Sequence, residues 1–389
     1  MSAAPALPFR LAPPAGGPVD LLVIAGEHSG DEHAARMLAQ FLALRPGARA
    51  CALGGPRLAA AGAQLLYDLT ASSVVGFLGV LKNLSFFRGL QEETLRWIDA
   101  HRPRAVCFVD YSGANLRLAA ALRERGLSVK GGGSIRLLYY ISPQIWASRR
   151  GRRFAMARDL DALAVIFPFE PACYADTTLV HEFVGHPFAA AGHVPPVSFD
   201  PAGPVLLLPG SRRNSVERIF PVLLAAHRAL GERDAVAIYP SEEILGVLRG
   251  ANPPAGVRLQ PTGLPVAASA VLTSSGTMSL HCALAAIPGA IAYRIDPLTY
   301  WLGRLLVKVP YLGIANLLLG EPMYPEYIQG AATTGALAAE LRACLHDPAR
   351  RERTAVQAGQ LRALLSQPAG STPGEWLARQ LSLAGSPAT

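Results

Sequence analysis

Four short polar stretches follow apolar runs, and each holds residue types that can do chemistry. "GEHSGD" (26–31) follows "LLVIA" and carries Glu27, Ser29, Gly30 and Asp31. "DYSGAN" (110–115) follows "AVCFV" and carries Asp110 and Asn115. "PGSRR" (209–213) follows "VLLL", and "SSGT" (274–277) follows "AVLT". A carboxylate where a strand ends is well placed to be a general base; Asp at such a place is also a common turn or capping residue. Arg212 and Arg213 suit a phosphate, or form a solvated basic turn. Gly210 and Ser211, with Ser275, Gly276 and Thr277, offer backbone N–H groups and hydroxyls suited to a pyrophosphate. Taken singly, each stretch also reads as an ordinary capped loop. Four together point to a nucleotide and a second substrate.

These loops need strands before them and helices after them. Strand candidates are 20–27, 48–55, 105–112, 135–142, 163–169 and 182–187, then 205–211, 235–241, 257–263, 270–276 and 289–294. They are apolar throughout and alternate with longer helical patterns, which is the mark of α/β folding with parallel sheets covered on both faces. Ser29 and Glu32 match the S-x-x-E capping box of a helix starting near Gly30. The Pro-rich stretch 188–204 separates two such series. The expected organisation is a loose extension over 1–19, a Rossmann-like domain over 20–187, and a linker over 188–204. A second Rossmann-like domain spans 205–366, and a helix within 367–389 has the option of packing back on the first domain. The two domains are expected to face a cleft, and in open α/β sheets ligands sit beyond the carboxyl ends of the strands.

The 389 residues are 51% hydrophobic and 16% charged, enough apolar material for two cores. No uninterrupted apolar run approaches the roughly 18 residues that suggest a membrane span. The formal net charge of +8 suits anionic partners. Five cysteines stand without pairing or metal-ligand spacing, which reads as reduced thiols in a cytoplasmic protein.

The order and spacing of a longer set of motifs is more specific than any one loop. "AGEHSGD" (25–31), "GGPRLAAAG" (54–62), "VVGFLGVLKNL" (74–84), "VDYSGANLRLA" (109–119), "YYISPQIWA" (139–147), "FPFEPACY" (167–174), "FVGHP" (183–187), "LLPGSRR" (207–213), "SSGTMSL" (274–280), "YRIDPLTYWLGRLLVKVPYLGIANLLLG" (293–320) and "PEYIQ" (325–329) follow one another along 20–365. In this the chain resembles the lipid-A-disaccharide synthases, inverting glycosyltransferases with two Rossmann-like domains (the GT-B type). The resemblance implies transfer of a 2,3-diacylglucosaminyl group from UDP to 2,3-diacylglucosamine 1-phosphate. It implies no cofactor and no metal, and work at the cytoplasmic face of the inner membrane of a Gram-negative bacterium. Nucleic acid is not an expected partner; the oligomeric state stays open, a homodimer included.

By the same resemblance the domain over 20–187 takes the acceptor and membrane side, the domain over 205–366 takes the UDP-sugar side, and Asp110 is the catalytic base. Gly210, Ser211, Arg212, Ser275, Gly276, Thr277, His281 and Asn316 bind the UDP-sugar, and Glu27, Ser29, Gly30, Asp31 and Asn115 line the acceptor side. The chain departs from the family at Gly113 and Ser269, where acidic residues are common, and at His281, where a ribose-gripping Glu is usual. An imidazole meets a diol as mixed donor and acceptor rather than as a double acceptor. Arg149, Arg150, Arg152 and Arg153 suit the acceptor phosphate or lipid headgroups, or form a solvated basic face. The apolar stretch 72–90 is a membrane or acyl contact through Phe77, Leu78, Leu81, Phe86 and Phe87, or a core helix. His186 has a catalytic reading, but is expected to be a structural histidine beside the linker. The alternatives are another UDP-sugar enzyme, such as an epimerase or a peptidoglycan-type transferase, and a non-catalytic nucleotide-sugar binder.

Overall fold

Apolar pentapeptides with no polar face can only be buried on both sides, and that requirement builds both sheets. A computed structural model describes residues 10–73, 80–190, 192–231, 233–296, 300 and 309–383; of 72, 73 and 80–85 it gives the backbone alone. The chain divides into two compact units, Met1–Pro187 with Pro368–Thr389, and Phe188–Gln367.

The first unit holds a sheet of seven parallel strands: β1 (Leu21–Ala25), β2 (Ala50–Gly54), β3 (Gln64–Asp68), β4 (Ala105–Val109), β5 (Arg136–Tyr140), β6 (Ala162–Val165) and β7 (Val180–Phe183). Their spatial order is β3-β2-β1-β4-β5-β6-β7. Strands β1, β2, β4 and β6 are buried at every residue. Around the sheet lie α1 (His28–Leu44), α2 (Pro56–Ala60), α3 (Leu69–Ser73), α4 (Val80–His101), α5 (Ser112–Glu124) and α6 (Arg152–Asp159).

The second unit holds β8 (Val197–Phe199), β9 (Val205–Leu208), β10 (Ala235–Tyr239), β11 (Val257–Pro261), β12 (Val266–Ala268), β13 (Ala270–Thr273), β14 (Gly289–Tyr293) and β15 (Glu326–Ile328). Six form a parallel sheet in the order β11-β10-β9-β13-β14-β15, and β12 pairs with β8. Its helices are α7 (Arg213–Arg228), α8 (Glu242–Gly250), α9 (Thr277–Leu284), α10 (Ile314–Leu319), α11 (Thr334–His346) and α12 (Pro348–Leu365). The stretch 188–204, expected as a linker, therefore contains a strand and belongs to this unit.

The last helix, α13 (Pro373–Ser382), returns to the first unit. It starts with a complete capping box between Thr372 and Glu375. Its Trp376 is buried, and the Gly374 N–H donates to the Gln40 side chain of α1 at 3.1 Å. Arg379 pairs with Glu182 of β7, and Arg136 of β5 reaches Gln380 at 2.9 Å. No described helix is long and apolar enough to cross a membrane.

Candidate active site

Each large sheet reverses its winding once. In the first unit β1 runs outward to β2 and β3, whereas β4 runs the other way to β5, β6 and β7. In the second, β9 leads to β10 and β11, and β13 leads to β14 and β15. Loops after strands at such a switch point diverge and leave a crevice, the usual ligand site of open α/β sheets. The loops in question are "GEHSGD" and "DYSGAN" in one unit, "PGSRR" and "SSGT" in the other.

The first pair is in close contact. The Tyr111 ring lies over Gly26, where an added Cβ would come within 2.4 Å of it. Gly30 is buried, and the same construction there falls 4.0 Å from the Asp110 Cβ. Asp110 is mostly enclosed at the end of β4. Burial pushes its carboxyl above the ordinary range, the neighbouring charge of Glu27 pushes the same way, and the Tyr111 N–H opposes both. A carboxylate whose proton affinity is raised is a better acceptor of a substrate proton.

The second pair also touches. The Ser274 N–H donates to the Leu208 carbonyl at 2.8 Å. Gly210 has φ +108°, a left-handed conformation, and a Cβ there would lie 2.9 Å from the Ser274 hydroxyl. Only glycine fits both demands. Helix α7 starts beside Arg212 and α9 beside Gly276. Ser211, Arg212, Gly276 and Thr277 are exposed, and Ser275 is half-buried. Arg213 is engaged with Glu217 at 2.8 Å, so Arg212 is the cation of this loop with no protein anion beside it among the described residues.

The helix starts differ in capping, and α6, which follows Gly151, also begins without a side-chain cap. In the second unit Ser241, Thr333 and Asp347 cap α8, α11 and α12 with their side chains. The four helices at the switch points, α1, α5, α7 and α9, have no side-chain cap. Their first-turn N–H groups carry partial positive charge, as an anion site requires.

Several expected site residues turn out to have structural work. Asp31 is buried and accepts three backbone N–H groups, from Gly55 at 2.8 Å, Arg57 at 3.0 Å and Leu58 at 3.2 Å. It caps α2, a structural role. The Ser29–Glu32 capping box does not form: α1 begins at His28, and Glu32 pairs with Arg36 at 2.8 Å and Arg57 at 3.1 Å. Ser29 is half-buried and Glu27 exposed at the crevice. Asn115 is buried, and its amide donates to the carbonyls of Asp110 at 2.8 Å and Val109 at 3.4 Å.

Asn316 is fully buried. Its amide donates to the Tyr324 carbonyl at 2.7 Å and to Glu326 at 2.9 Å, and its oxygen accepts the Tyr324 N–H at 2.9 Å. Every polar atom of the side chain is used in holding α10 to the approach to β15. Ser269 is at the amino end of β13, where it accepts from Arg233 at 3.1 Å, and so it faces away from the switch point. Gly113 is exposed in the first turn of α5. His281 sits one turn into α9 and stacks on Phe188 with ring centroids 3.8 Å apart; His193 follows at 5.3 Å. These rings line a cavity of about 390 Å³ with Val197, Phe199 and Leu365. His186 is buried, with its ring 5.1 Å from that of Phe167.

The basic cluster splits. Arg153 forms two hydrogen bonds to Asp176 and lies over Phe154, a structural arrangement. Arg149 and Arg150 are exposed. Arg152 is half-buried; burial and the charge of Arg149 lower its pKa, and proximity to Tyr139 opposes this. Of the apolar candidates, Phe77 and Leu78 and the side chain of Leu81 lie outside the described residues. Phe86 is half-buried beside Tyr67 at 6.2 Å, and Phe87 is 39% exposed against Phe86.

Three residues with buried polar roles escaped the sequence reading. Tyr139 donates its hydroxyl to the Asp110 carbonyl. Glu326 accepts the N–H groups of Leu312 and Gly313 and caps α10. Glu170 is buried and accepts the N–H groups of Ile166 and Phe167. A tyrosine in a buried strand is a signal, since its hydroxyl must be paired somewhere. The two glutamates have no local signal, because their partners are backbone groups.

Two Rossmann-like units, each with one switch point in its sheet, define the GT-B type of fold. The fold is shared with the UDP-GlcNAc 2-epimerase from Neisseria meningitidis bound to UDP-GlcNAc (TM-score 0.58, 9% identity, 93% of this chain and 100% of that one). It is also shared with the calicheamicin glycosyltransferase (TM-score 0.54, 15% identity, 94% and 98% of the two chains). Residues 21–239 and 260–376 match the family described as lipid-A-disaccharide synthetase. The lipid-A-disaccharide synthase of Nitrosococcus oceani is 34% identical over 348 residues, 85% of this chain and 88% of that protein. That of Anaeromyxobacter dehalogenans is 35% identical over 374 residues, 90% and 94% of the two. The chain belongs to the lipid-A-disaccharide synthetase family, and is by that membership a glycosyltransferase of lipid A biosynthesis.

Proposed function

We propose that the protein transfers a 2,3-diacylglucosaminyl group from UDP to the 6-hydroxyl of 2,3-diacylglucosamine 1-phosphate, with inversion at the anomeric carbon. The products are the β-1,6-linked disaccharide 1-phosphate and UDP. Asp110 takes the proton of the attacking hydroxyl as the new C–O bond forms. The bond from the anomeric carbon to the diphosphate breaks, and charge develops on the departing UDP. Arg212 and the amino ends of α7 and α9 receive that charge, a favourable arrangement in a site where dipoles are already oriented. Glu27 and Ser29 border the acceptor, and Arg149, Arg150 and Arg152 attract its phosphate or the anionic headgroups around it.

The observation that supports this reading is that the strands at both switch points lead into helices whose first-turn N–H groups receive no side-chain cap. Both substrates carry acyl chains, which supports action at the cytoplasmic face of the inner membrane, with Phe86, Phe87 and Arg88 in contact with lipid. Incubation with UDP-2,3-diacylglucosamine and 2,3-diacylglucosamine 1-phosphate should release UDP and disaccharide in equal amounts. Epimerised sugar would favour the epimerase reading, and binding without turnover the non-catalytic one.

A further inference from the structure

Asp110 and Tyr111 both have left-handed backbones, at φ +48° and +46°. Non-glycine residues avoid this region, and two in succession persist only where the surroundings hold them. The pairing of β4 with β5 ends at Val109 opposite Tyr140, and the Asp110 N–H still closes on the Tyr140 carbonyl at 3.2 Å. The Asp110 carbonyl then leaves the ladder. Two side chains receive it: the Tyr139 hydroxyl, and the Asn115 amide at 2.8 Å. Both belong to buried residues, Tyr139 on β5 and Asn115 on α5. The helix closes the turn through the Asn115 N–H, which donates to the Tyr111 carbonyl at 3.3 Å.

We infer that Tyr139 and Asn115 are positioning residues: by clamping the Asp110 carbonyl in its left-handed turn, they aim the Asp110 carboxylate into the crevice between β1 and β4. The inference rests on the reading of Asp110 as the base. It accounts for a buried phenol in a strand that otherwise needs only apolar bulk, since Phe would pack there equally well. The groups facing this turn are Glu27 from the loop before α1, the Tyr111 N–H and hydroxyl, Arg117 of α5 beside Tyr111, and Arg152 of α6 beside Tyr139.

Tyr139→Phe removes one oxygen and keeps the ring. The full-length variant should lose about 10- to 100-fold in kcat, the scale of a displaced catalytic group, with KM for both substrates within twofold of wild type. The acidic limb of its kcat/KM profile should move, because the carboxylate has changed surroundings. Asn115→Ala should act in the same direction. In an Asp110→Asn background, adding Tyr139→Phe should cost nothing further. A merely structural tyrosine would lower the melting temperature and leave kcat per folded molecule and the pH profile unmoved; that result overturns the inference. Asp110→Asn with near-normal turnover would overturn the base assignment itself, whatever Tyr139→Phe does.

Discussion

The Oδ1 atom of Asp31 accepts the backbone N–H of Gly55 at 2.8 Å, across 24 positions of sequence. With the N–H groups of Arg57 and Leu58 also on this carboxylate, the first turn of α1 and the start of α2 are one unit. The most polar residue of the opening motif is therefore a strut that sets where α1 begins and where Glu27 and Ser29 stand.

Asp31→Ala should destabilise the protein by about 2 kcal/mol, the upper range for losing a capping side chain. Urea unfolding would register this. UDP affinity should not change, because the second unit holds the diphosphate loops. A variant of wild-type stability with reduced acceptor affinity would return Asp31 to the acceptor site.

Arg212→Ala should weaken UDP binding by about 10- to 100-fold, as expected for a lost charge-assisted contact of about 1.5–3 kcal/mol. Uridine, with no phosphate, should bind both forms alike. Calorimetry with the two ligands separates a phosphate contact from a general disturbance of the loop; equal weakening for both would remove the phosphate role.

Asn316→Ala should leave the Tyr324 N–H and carbonyl unpaired in the core. Stranded buried groups cost about 1–3 kcal/mol each, so the melting temperature should fall. UDP affinity of the folded fraction should stay within twofold of wild type. Stability intact and UDP affinity lost would instead show that this side chain turns to the ligand.

The sheets were legible where burial is complete. Strands such as β1, β4, β9 and β13 are uninterrupted apolar runs because helices cover both faces, and their ends were marked by Gly, Ser and Asp. The edge strand β3 is half-buried throughout and mixes Gln64 and Asp68 with apolar residues, so no run announces it. Strands β8, β12 and β15 have three residues each, too short for any period. Among the site residues, exposed loop positions such as Ser211 and Arg212 stood where loop chemistry puts them. Asp31, Asn115 and Asn316 carry structural bonds that residue type did not announce, since each side chain turns inward to a backbone group. Residue type cannot distinguish a polar group aimed at a ligand from one aimed at an N–H far along the chain.

Phe87 is exposed about two turns into α4, beside the exposed Arg88. Phe87→Ser should weaken flotation with anionic vesicles and leave the melting temperature within a degree or two. Burying a side chain of this size contributes about 1.5–3 kcal/mol, and a cation near an anionic surface about 1 kcal/mol. Phe86→Ser should also cost stability, since that ring packs beside Tyr67. Unchanged flotation of both variants would remove α4 from the membrane contact.

Glu170 gives a pH dependence with a definite sign. Its carboxyl is buried beside Trp146, and burial pushes its pKa from 4.5 up to about 7, with hydrogen bonds from Phe167, Ile166 and Trp146 opposing. The folded protein thus holds this proton more tightly than the unfolded chain. The resulting stabilisation is full below pH 4.5 and is lost as pH rises to about 7, a change of about 2–4 kcal/mol. Acids such as Asp176 and Asp68, whose pKa values fall on folding, contribute in the opposite direction, so the whole-protein profile hides the effect. Glu170→Gln isolates it. Glutamine can accept the two backbone N–H groups but turns an NH₂ toward the Trp146 N–H, a cost that is the same at every pH. The variant should therefore gain on wild type steadily between pH 5 and pH 7.5 in urea unfolding. A difference that stays constant across that range would mean that Glu170 is ionised in the folded protein throughout.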